Sequence, residues 1–545
     1  MKNFSWLERA ENIKQLNKNS FDLVVIGGGI NGAGVARDAA SRGMKVALVE
    51  ARDFAEGTSS RSSKLIHGGI RYLENLEFKL VYEALNERNK LFEIAPHLSH
   101  PLRFMIPLFE DSRVGMFKMG LGMWLYDALS LFQAPQLHER LNVRETLRRM
   151  PQLSPEKLKG SYVYSDAYMD DDRLVHETLR SAHEWGAKIV NYVAAESVEM
   201  DESNRIKSVL CKDQVTDSTI RIRGKYFIST VGPWTDLFGL KIFNEWKSIL
   251  RPTKGVHLTF SKERLPLSSA VVMGAEKSDR IIFGIPRHDM VIVGTTDTDF
   301  KGDPSEVRVE RDDIDYLLRV LGDYFPGAKI RESDILSSYA GVRPLVNDGA
   351  STEGKVSREH HLLKDERGLL FVTGGKYTTY RLISEQVVDA ALAEFTLEER
   401  VQFQRTQTDQ PLNLQVSIEN WSLAQFRCEL WSSRTLRPLR ECQLLAERYG
   451  MEAEDFLFSP DNLDLTYPQL EAKIAIEKTM CLHIKDFYVR RVPFFLALPD
   501  QGLSFLDAIA QVFQTSLKWD DKKTMEEKRE YINLVETSFL WRSKK

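Results

Sequence analysis

A glycine-rich turn between two apolar runs constrains the fold of this 545-residue chain more than any other feature. The run FDLVVI precedes Gly27, Gly29 and Gly32, which form the pattern G-x-G-x-x-G, and Ala33 to Arg42 has the composition of a helix. Gly43 ends that helix, and KVALVE follows as a second apolar strand. The pattern predicts a β-α-β unit with buried parallel strands.

This spacing also predicts a ligand. Glycines at a strand-to-helix turn let backbone N–H groups and the helix N-terminus approach a pyrophosphate. Glu50 ends the second strand, where a carboxylate binds a ribose diol and would repel a 2′-phosphate. We therefore predict a Rossmann-like dinucleotide site formed by Gly27, Gly29, Gly32 and Glu50, although these residues alone leave NAD and FAD as alternatives.

The rest of the chain predicts an α/β and α+β protein. The runs at 225–232 and 368–375 look like further strands of the first sheet, so the cofactor domain is discontinuous. Alternating runs at 256–260, 280–285 and 290–296 predict a mainly antiparallel substrate domain. The predicted boundaries are 18–110, 166–240 and 336–392 for the cofactor domain, 111–165 for a helical insertion of the substrate domain, 241–335 for the substrate domain and 393–545 for an α-helical C-terminal domain.

Composition narrows the class of protein. The net charge of −4 does not indicate nucleic acid as a partner, and the four cysteines lack the CxxC spacing of a zinc site, so we predict no metal and a reducing cytosol. The N-terminus does not resemble a secretory signal. The apolar stretch from Val114 to Phe132 contains Lys118 and Asp127, which favours a buried or interfacial helix over a membrane span.

Several separate motifs carry a resemblance to a known family. GTSSRSSKLIHGGIRYLE at 57–74 has the density of polar groups expected of a ligand-lining loop. With VIGGGINGAG, VGPWTD, GTTDTDFKGDP, SYAGVRPL and TGGKYTTYR, it resembles the FAD-dependent glycerol-3-phosphate dehydrogenases, a branch of the glutathione-reductase-like and D-amino-acid-oxidase-like flavoproteins. ERYG and KDFYVRR are similar to that family's C-terminal helical domain. The resemblance therefore runs nearly from end to end.

The resemblance implies FAD as the cofactor and a set of residues that bind it. Beyond the glycines and Glu50, it implies a flavin-side loop with Ser59, Ser60 and Lys64, and a second flavin-contacting turn with Gly374, Gly375, Lys376 and Thr378. A fixed positive charge at Lys376 could stabilise the anionic reduced flavin.

The resemblance also implies the substrate and the residues that act on it. Arg71, Arg343 and Arg358 match positions that face glycerol phosphate in the family, and arginine donates two charge-assisted hydrogen bonds to a phosphate at once. Tyr72 would line the same pocket. His67 is our candidate base for the C2 hydroxyl proton, with Arg343 and Lys376 as further catalytic residues. His176, His257 and the acidic run Asp170 to Asp172 are predicted to be structural.

Three functions stay open at this stage. The first is a dehydrogenase that passes electrons to a quinone, peripherally attached to an anionic membrane at the cytoplasmic face of the inner membrane. The second is an oxidase that reduces oxygen to peroxide, and the third is a flavin-bound regulatory module without turnover. A homodimer is one alternative for the oligomeric state. The basic groups considered for membrane attachment are Arg434, Arg437, Arg440, Lys485, Arg490 and Arg491.

Overall fold

A computed structural model of the protein describes residues 4–74, 76–243, 245–274, 280–347 and 360–542. Its strands are β1 (Ser20–Ile26), β2 (Val46–Val49), β3 (Leu65–Ile66), β4 (Ser99–Phe109), β5 (Glu139–Leu141), β6 (Leu158–Met169), β7 (Lys188–Val190), β8 (Val193–Met200), β9 (Ile206–Asp213), β10 (Thr219–Ser229), β11 (Thr253–Ser261), β12 (Ala270–Gly274), β13 (Ile281–Arg287), β14 (Met290–Gly294), β15 (Thr298–Asp299), β16 (Ile335–Arg343), β17 (His360–Lys364) and β18 (Leu369–Gly374).

The α-helices are α1 (Trp6–Lys18), α2 (Ile30–Ser41), α3 (Phe78–Ile94), α4 (Met116–Leu129), α5 (Val143–Arg149), α6 (Asp171–Glu184), α7 (Thr235–Ile242), α8 (Arg311–Tyr324), α9 (Tyr380–Leu392), α10 (Leu397–Arg400), α11 (Ile418–Thr435), α12 (Leu439–Tyr449), α13 (Ala453–Leu457), α14 (Tyr467–Lys478), α15 (Ile484–Arg490), α16 (Phe494–Ala497), α17 (Leu506–Leu517) and α18 (Asp521–Ser538). In the described part of the chain, none of these helices is both long enough and apolar enough to cross a bilayer.

The first sheet has the strand order β17-β18-β10-β1-β2-β7, with β9 beside β10 and β8 beside β9. Strands β2, β1, β10 and β18 run parallel, as the sequence predicted. Their carboxyl ends therefore lie at one edge, where Gly27, Glu50, Thr230 and Gly374 follow or end neighbouring strands. Ligands of open α/β sheets bind at such an edge, so this register places the predicted nucleotide residues together.

The second sheet has the order β15-β11-β14-β13-β12-β4-β6-β3, with β16 beside β11 and β5 beside β6. It is antiparallel in its described pairs except where β12 meets β4, which confirms a mainly antiparallel second unit. Two of its strand pairings position the site. Leu65 pairs with Tyr168 just before His67, and Arg343 at the end of β16 pairs with Thr253.

The second sheet differs from the predicted domain boundaries. Strands β3 and β4 lie inside the range assigned to the cofactor domain, and β16 falls inside 336–392, yet all three belong to the second sheet. The predicted helical insertion at 111–165 contains most of the long strand β6 besides α4 and α5. An alternating pattern predicts a strand but does not say which sheet it joins, because that depends on distant partners.

The C-terminal region is helical from α11 to α18, as predicted. Helices α11, α12 and α13 enclose a core around Trp431 and Leu445, which one side of α14 completes. The helices from α14 onward instead share a core with the second sheet, where Phe487 and Phe513 belong to the same cluster as Ile292. The C-terminal helices are therefore packed into the body of the protein.

Candidate active site

A cavity of about 590 Å³ runs between the carboxyl edge of the first sheet and the face of the second. One end is formed by backbone at Gly27, Gly29 and the start of α2, beside Glu50. The other end is formed by side chains that include His67 and Arg343. The cavity therefore joins the predicted nucleotide site to the predicted substrate site.

The glycine turn leaves room for a phosphate group. Gly27 has a φ of +111°, and a Cβ there would lie 2.7 Å from the carbonyl oxygen of Thr230. A Cβ on Gly32 would lie 1.9 Å from the carbonyl oxygen of Gly27, so this glycine permits close helix packing. A Cβ on Gly29 would approach only Ser59 Oγ, at 3.1 Å, and would point into open cavity. The turn thus fits the pyrophosphate of a dinucleotide.

Glu50 is fixed beside this turn by backbone donors. The Gly28 N–H donates to Glu50 Oε2 at 2.6 Å, and the Arg52 N–H donates to Oε1 at 2.9 Å. Burial raises the pKa of Glu50 to about 7, although the two backbone hydrogen bonds oppose that shift. The carboxyl lines the cavity, so it could accept hydrogen bonds from a ribose diol.

The reactive end brings together residues from two distant segments. The backbone N–H of His67 donates to Thr378 Oγ1 at 3.3 Å, which links the loop after β3 to the turn after β18. Lys376 Nζ lies 3.5 Å from the centroid of the Tyr72 ring, a cation–π contact that positions the ammonium. His67, Tyr72, Lys376 and Thr378 all line the cavity.

Arg343 is held by an ion pair. Its Nη1 donates to Asp297 Oδ1 at 2.9 Å, and its Nη2 donates to Thr295 Oγ1 at 2.8 Å. The guanidinium is half-buried and lines the cavity next to Gly255 and Gly341. It can therefore offer a charge to an anion, but it would share that charge with Asp297.

Three predicted cofactor residues, all within the described part of the chain, lie outside the cavity lining: Gly32, Ser60 and Lys64. Lys64 was predicted to contact the flavin, but its buried ammonium pairs with Asp171 and donates to the Ser60 carbonyl oxygen at 3.2 Å. The ammonium of Lys64 therefore pairs within the protein, and its predicted place in a flavin-side loop stays a prediction. Ser59 does line the cavity, and its Oγ accepts a hydrogen bond from the Ile30 N–H at 3.0 Å.

The side chains of two predicted substrate residues, Arg71 and Arg358, lie outside the described part of the structure. Arg358 lies outside the described residues, and for Arg71 only the backbone, in a short 3-10 turn, is described. Their predicted contacts with the phosphate remain predictions. Gly374 and Gly375 both line the cavity, with positive φ values that the turn after β18 requires.

His257 lines the reactive end as well, which the sequence did not indicate. It was predicted to be structural, and its Nε2 lies 2.9 Å from Ser63 Oγ while its ring stacks on Tyr339. Burial, reinforced by the positive charges of Arg343 and Lys64, holds the pKa of His257 well below its usual value. The neutral imidazole is a hydrogen-bonding group of the pocket. Its position in an ordinary alternating strand gave no signal of this role.

The fold and the cavity together define a flavin-dependent oxidoreductase. Residues 22–381 match the family of FAD dependent oxidoreductases, and residues 424–524 match the C-terminal domain of alpha-glycerophosphate oxidase. The aerobic glycerol-3-phosphate dehydrogenase of Staphylococcus saprophyticus is 37% identical over 523 residues, which cover 93% of each chain. The chain therefore belongs to the FAD-dependent glycerol-3-phosphate dehydrogenase family, and FAD is its cofactor.

Solved structures agree with this assignment. The glycerol-3-phosphate dehydrogenase of Bacillus halodurans, complexed with FAD, is 28% identical with a TM-score of 0.80 and covers 98% of each chain. The L-alpha-glycerophosphate oxidase of Mycoplasma pneumoniae, with FAD bound, is 18% identical with a TM-score of 0.54, covering 68% of this chain and 95% of that one. This second likeness concerns the fold alone.

Proposed function

We propose that the protein oxidises sn-glycerol 3-phosphate to dihydroxyacetone phosphate with bound FAD. One observation supports this most strongly: a single cavity connects the nucleotide turn at Gly29 to a cationic, hydrogen-bonding end at Arg343 and Lys376. A cavity built only to hold FAD would not need an arginine and a lysine beyond the nucleotide end. A phosphorylated substrate does need such cations.

The residues of the reactive end have separate roles in this proposal. Arg343 binds the phosphate of the substrate and orients its C2 towards the flavin, with Tyr72 closing the pocket. The imidazole of His67 accepts the C2 hydroxyl proton. Bound FAD would supply the two-electron acceptor for the hydride of C2. The ammonium of Lys376, which contacts the Tyr72 ring, places a fixed positive charge at this end of the cavity and would favour negative charge there.

We further propose that electrons pass to a quinone at a membrane surface on the cytoplasmic face. The basic residues considered from the sequence do not support an attachment site, because Arg437, Arg490 and Arg491 are buried and Lys485 pairs with Glu530 at 2.9 Å. Of those six residues, only Arg434 and Arg440 are exposed. Scattered exposed cations of this number bind anionic lipid weakly.

Helix α4 offers a better surface for lipid. Within Met116–Leu129, all of which the structure describes, Lys118 is the single charged residue on the exposed side, and Phe117 and Trp124 are 82% and 61% exposed. Leu121 and Leu125 extend this apolar face. A large exposed apolar face with an interfacial Trp and a Lys favours an anionic bilayer surface over water. The buried side of α4 reaches the flavin-side loop, because the Gly68 N–H donates to Tyr126 Oη at 3.0 Å.

Two experiments test these proposals. The reduced enzyme should be reoxidised much faster by a soluble quinone analogue than by oxygen, and rapid stoichiometric peroxide formation would favour the oxidase. In co-sedimentation with vesicles containing phosphatidylglycerol, Trp124→Glu should bind far less than wild type, because a charge on α4 opposes insertion. Phe426→Glu, at an even more exposed apolar residue of α11, is the control and should bind normally. Equal binding by the two variants would contradict the role of α4.

A further inference from the structure

The C-terminal helices reach the cofactor domain through two arginines at the end of α15. Arg490 Nε donates to Asp53 Oδ2 at 2.7 Å. Arg491 donates from Nη1 to Asp53 Oδ2 at 2.8 Å and from Nη2 to Asp53 Oδ1 at 2.9 Å. Asp53 is fully buried, and both arginines are at most 5% exposed. One carboxylate of the cofactor domain is thus bound by two guanidinium groups that come from more than 430 residues further along the chain.

Besides Asp53, the two arginines meet two further carboxylates, and Arg490 Nη2 lies 3.6 Å from the partly exposed Glu56 Oε2. Arg490 also pairs with Asp486, and Tyr192 Oη donates to Asp486 Oδ2 at 2.5 Å. Burial alone would raise the pKa of Asp53, but the charges of Arg491 and Arg490 outweigh it and lower that pKa below its usual value. Removing one partner would leave a buried charge uncompensated, which is costly in a protein interior.

Asp53 stands directly beside the nucleotide turn. The next residue, Phe54, packs so closely that a Cβ on Gly28 would lie 2.7 Å from its ring. The Ala55 N–H donates to the Gly28 carbonyl oxygen at 3.1 Å. Glu56 lines the cavity itself. The clamped carboxylate therefore acts on the glycine turn through one or two residues of chain.

We propose that Arg490 and Arg491, through Asp53, form a clamp by which the C-terminal helices hold the loop at 53–56 against the glycine turn and so retain FAD. They are positioning residues, because they touch the loop and not the cofactor. The proposal depends on the FAD site, not on the identity of the substrate or of the electron acceptor.

The matched comparison is a second buried carboxylate at the same domain boundary. Glu452, near α13, pairs with Arg180 of α6, also accepts a hydrogen bond from Asn413 Nδ2 at 3.0 Å, and is not among the residues that line the cavity. Asp53→Asn and Glu452→Gln each remove one buried charge without changing side-chain shape. Both should lower the melting temperature, but they should differ in how they affect FAD.

The measurement is the rate of FAD release, followed by the recovery of flavin fluorescence after dilution of the holoenzyme. Loss of charge-assisted hydrogen bonds predicts release about 10- to 100-fold faster in Asp53→Asn. Glu452→Gln should release FAD at a rate close to wild type. At saturating FAD, the KM of Asp53→Asn for glycerol 3-phosphate should be unchanged. Equal release rates in the two variants would overturn the proposal, because the cluster would then stabilise the contact between domains without a specific effect on FAD.

A milder pair keeps the test informative if Asp53→Asn does not fold. Arg491→Lys retains the charge but loses the paired donors of the guanidinium, and Arg180→Lys is its counterpart. Release should be faster in Arg491→Lys than in Arg180→Lys, and excess FAD should restore its activity. Unchanged release in Arg491→Lys would overturn the proposal.

Discussion

The two ends of the cavity are built in different ways. The nucleotide end centres on one β-α-β unit, where glycines keep side chains out of the turn and the Gly28 N–H holds Glu50 beside it. The reactive end comes from side chains of several distant segments, including His67, Arg343 and Lys376. The nucleotide end should therefore be sensitive to added side-chain volume, whereas the reactive end should be sensitive to the loss of charges and hydrogen bonds.

The largest effect should follow from volume at the nucleotide end. Gly29→Val should abolish FAD binding, because the added side chain meets little protein and enters the cavity instead. Gly115→Val is the control, since Gly115 has a similar φ at the start of α4 and nothing within 4 Å of its Cβ position. The flavin absorbance of purified protein measures the outcome. Yellow Gly29→Val protein would contradict the assignment of the turn.

The reactive end should show the opposite behaviour. His67→Gln should retain FAD but slow anaerobic flavin reduction by about 10²- to 10⁴-fold, the usual contribution of a general base. His257→Gln is the comparison in the same pocket, and it should slow reduction less because its neutral imidazole is held in a hydrogen bond with Ser63. Stopped-flow absorbance would separate the two. If only His257→Gln were slow, the base would have to be reassigned.

Substrate choice should depend on Arg343. Loss of one charge-assisted donor predicts a fall of about 10- to 100-fold in kcat/KM for glycerol 3-phosphate in Arg343→Ala. Glycerol should be used poorly throughout, so the preference for the phosphorylated substrate should narrow in this variant. Arg251→Ala removes a neighbouring ion pair with Asp299 outside the cavity lining and is the control. An undiminished preference in Arg343→Ala would place the phosphate elsewhere.

The smallest effect concerns pH at the nucleotide end. Burial raises the pKa of Glu50 from 4.5 to about 7, so the folded protein favours the protonated carboxyl. The protonated carboxyl therefore stabilises the cofactor-free protein fully below pH 4.5. This stabilisation is lost as the pH rises through about 7. We expect this decline in the melting temperature of the cofactor-free wild type and a flatter profile in Glu50→Gln. Parallel profiles would contradict it.

The two ends also differ in how well the sequence predicted them. The glycine turn and Glu50 were predictable because a β-α-β unit is local and its glycines have a steric reason. The pairing of Lys64 with Asp171 and the contact of His257 with Ser63 could not be predicted, because no local pattern reveals where these side chains point. The parallel strands β10 and β18 were predicted from apolar runs, whereas the sheet that β4 and β16 join was not. Non-local contacts therefore explain most of the errors.

The proposed function requires that the nucleotide end hold FAD and that the reactive end bind the substrate that reduces it. Anaerobic reduction of the flavin tests this directly. Purified protein is mixed anaerobically with sn-glycerol 3-phosphate, and the flavin absorbance is recorded before and after mixing. We expect the flavin absorbance to bleach with the phosphorylated substrate and to change little with glycerol at the same concentration. A colourless protein, or a flavin that neither compound reduces, would contradict it.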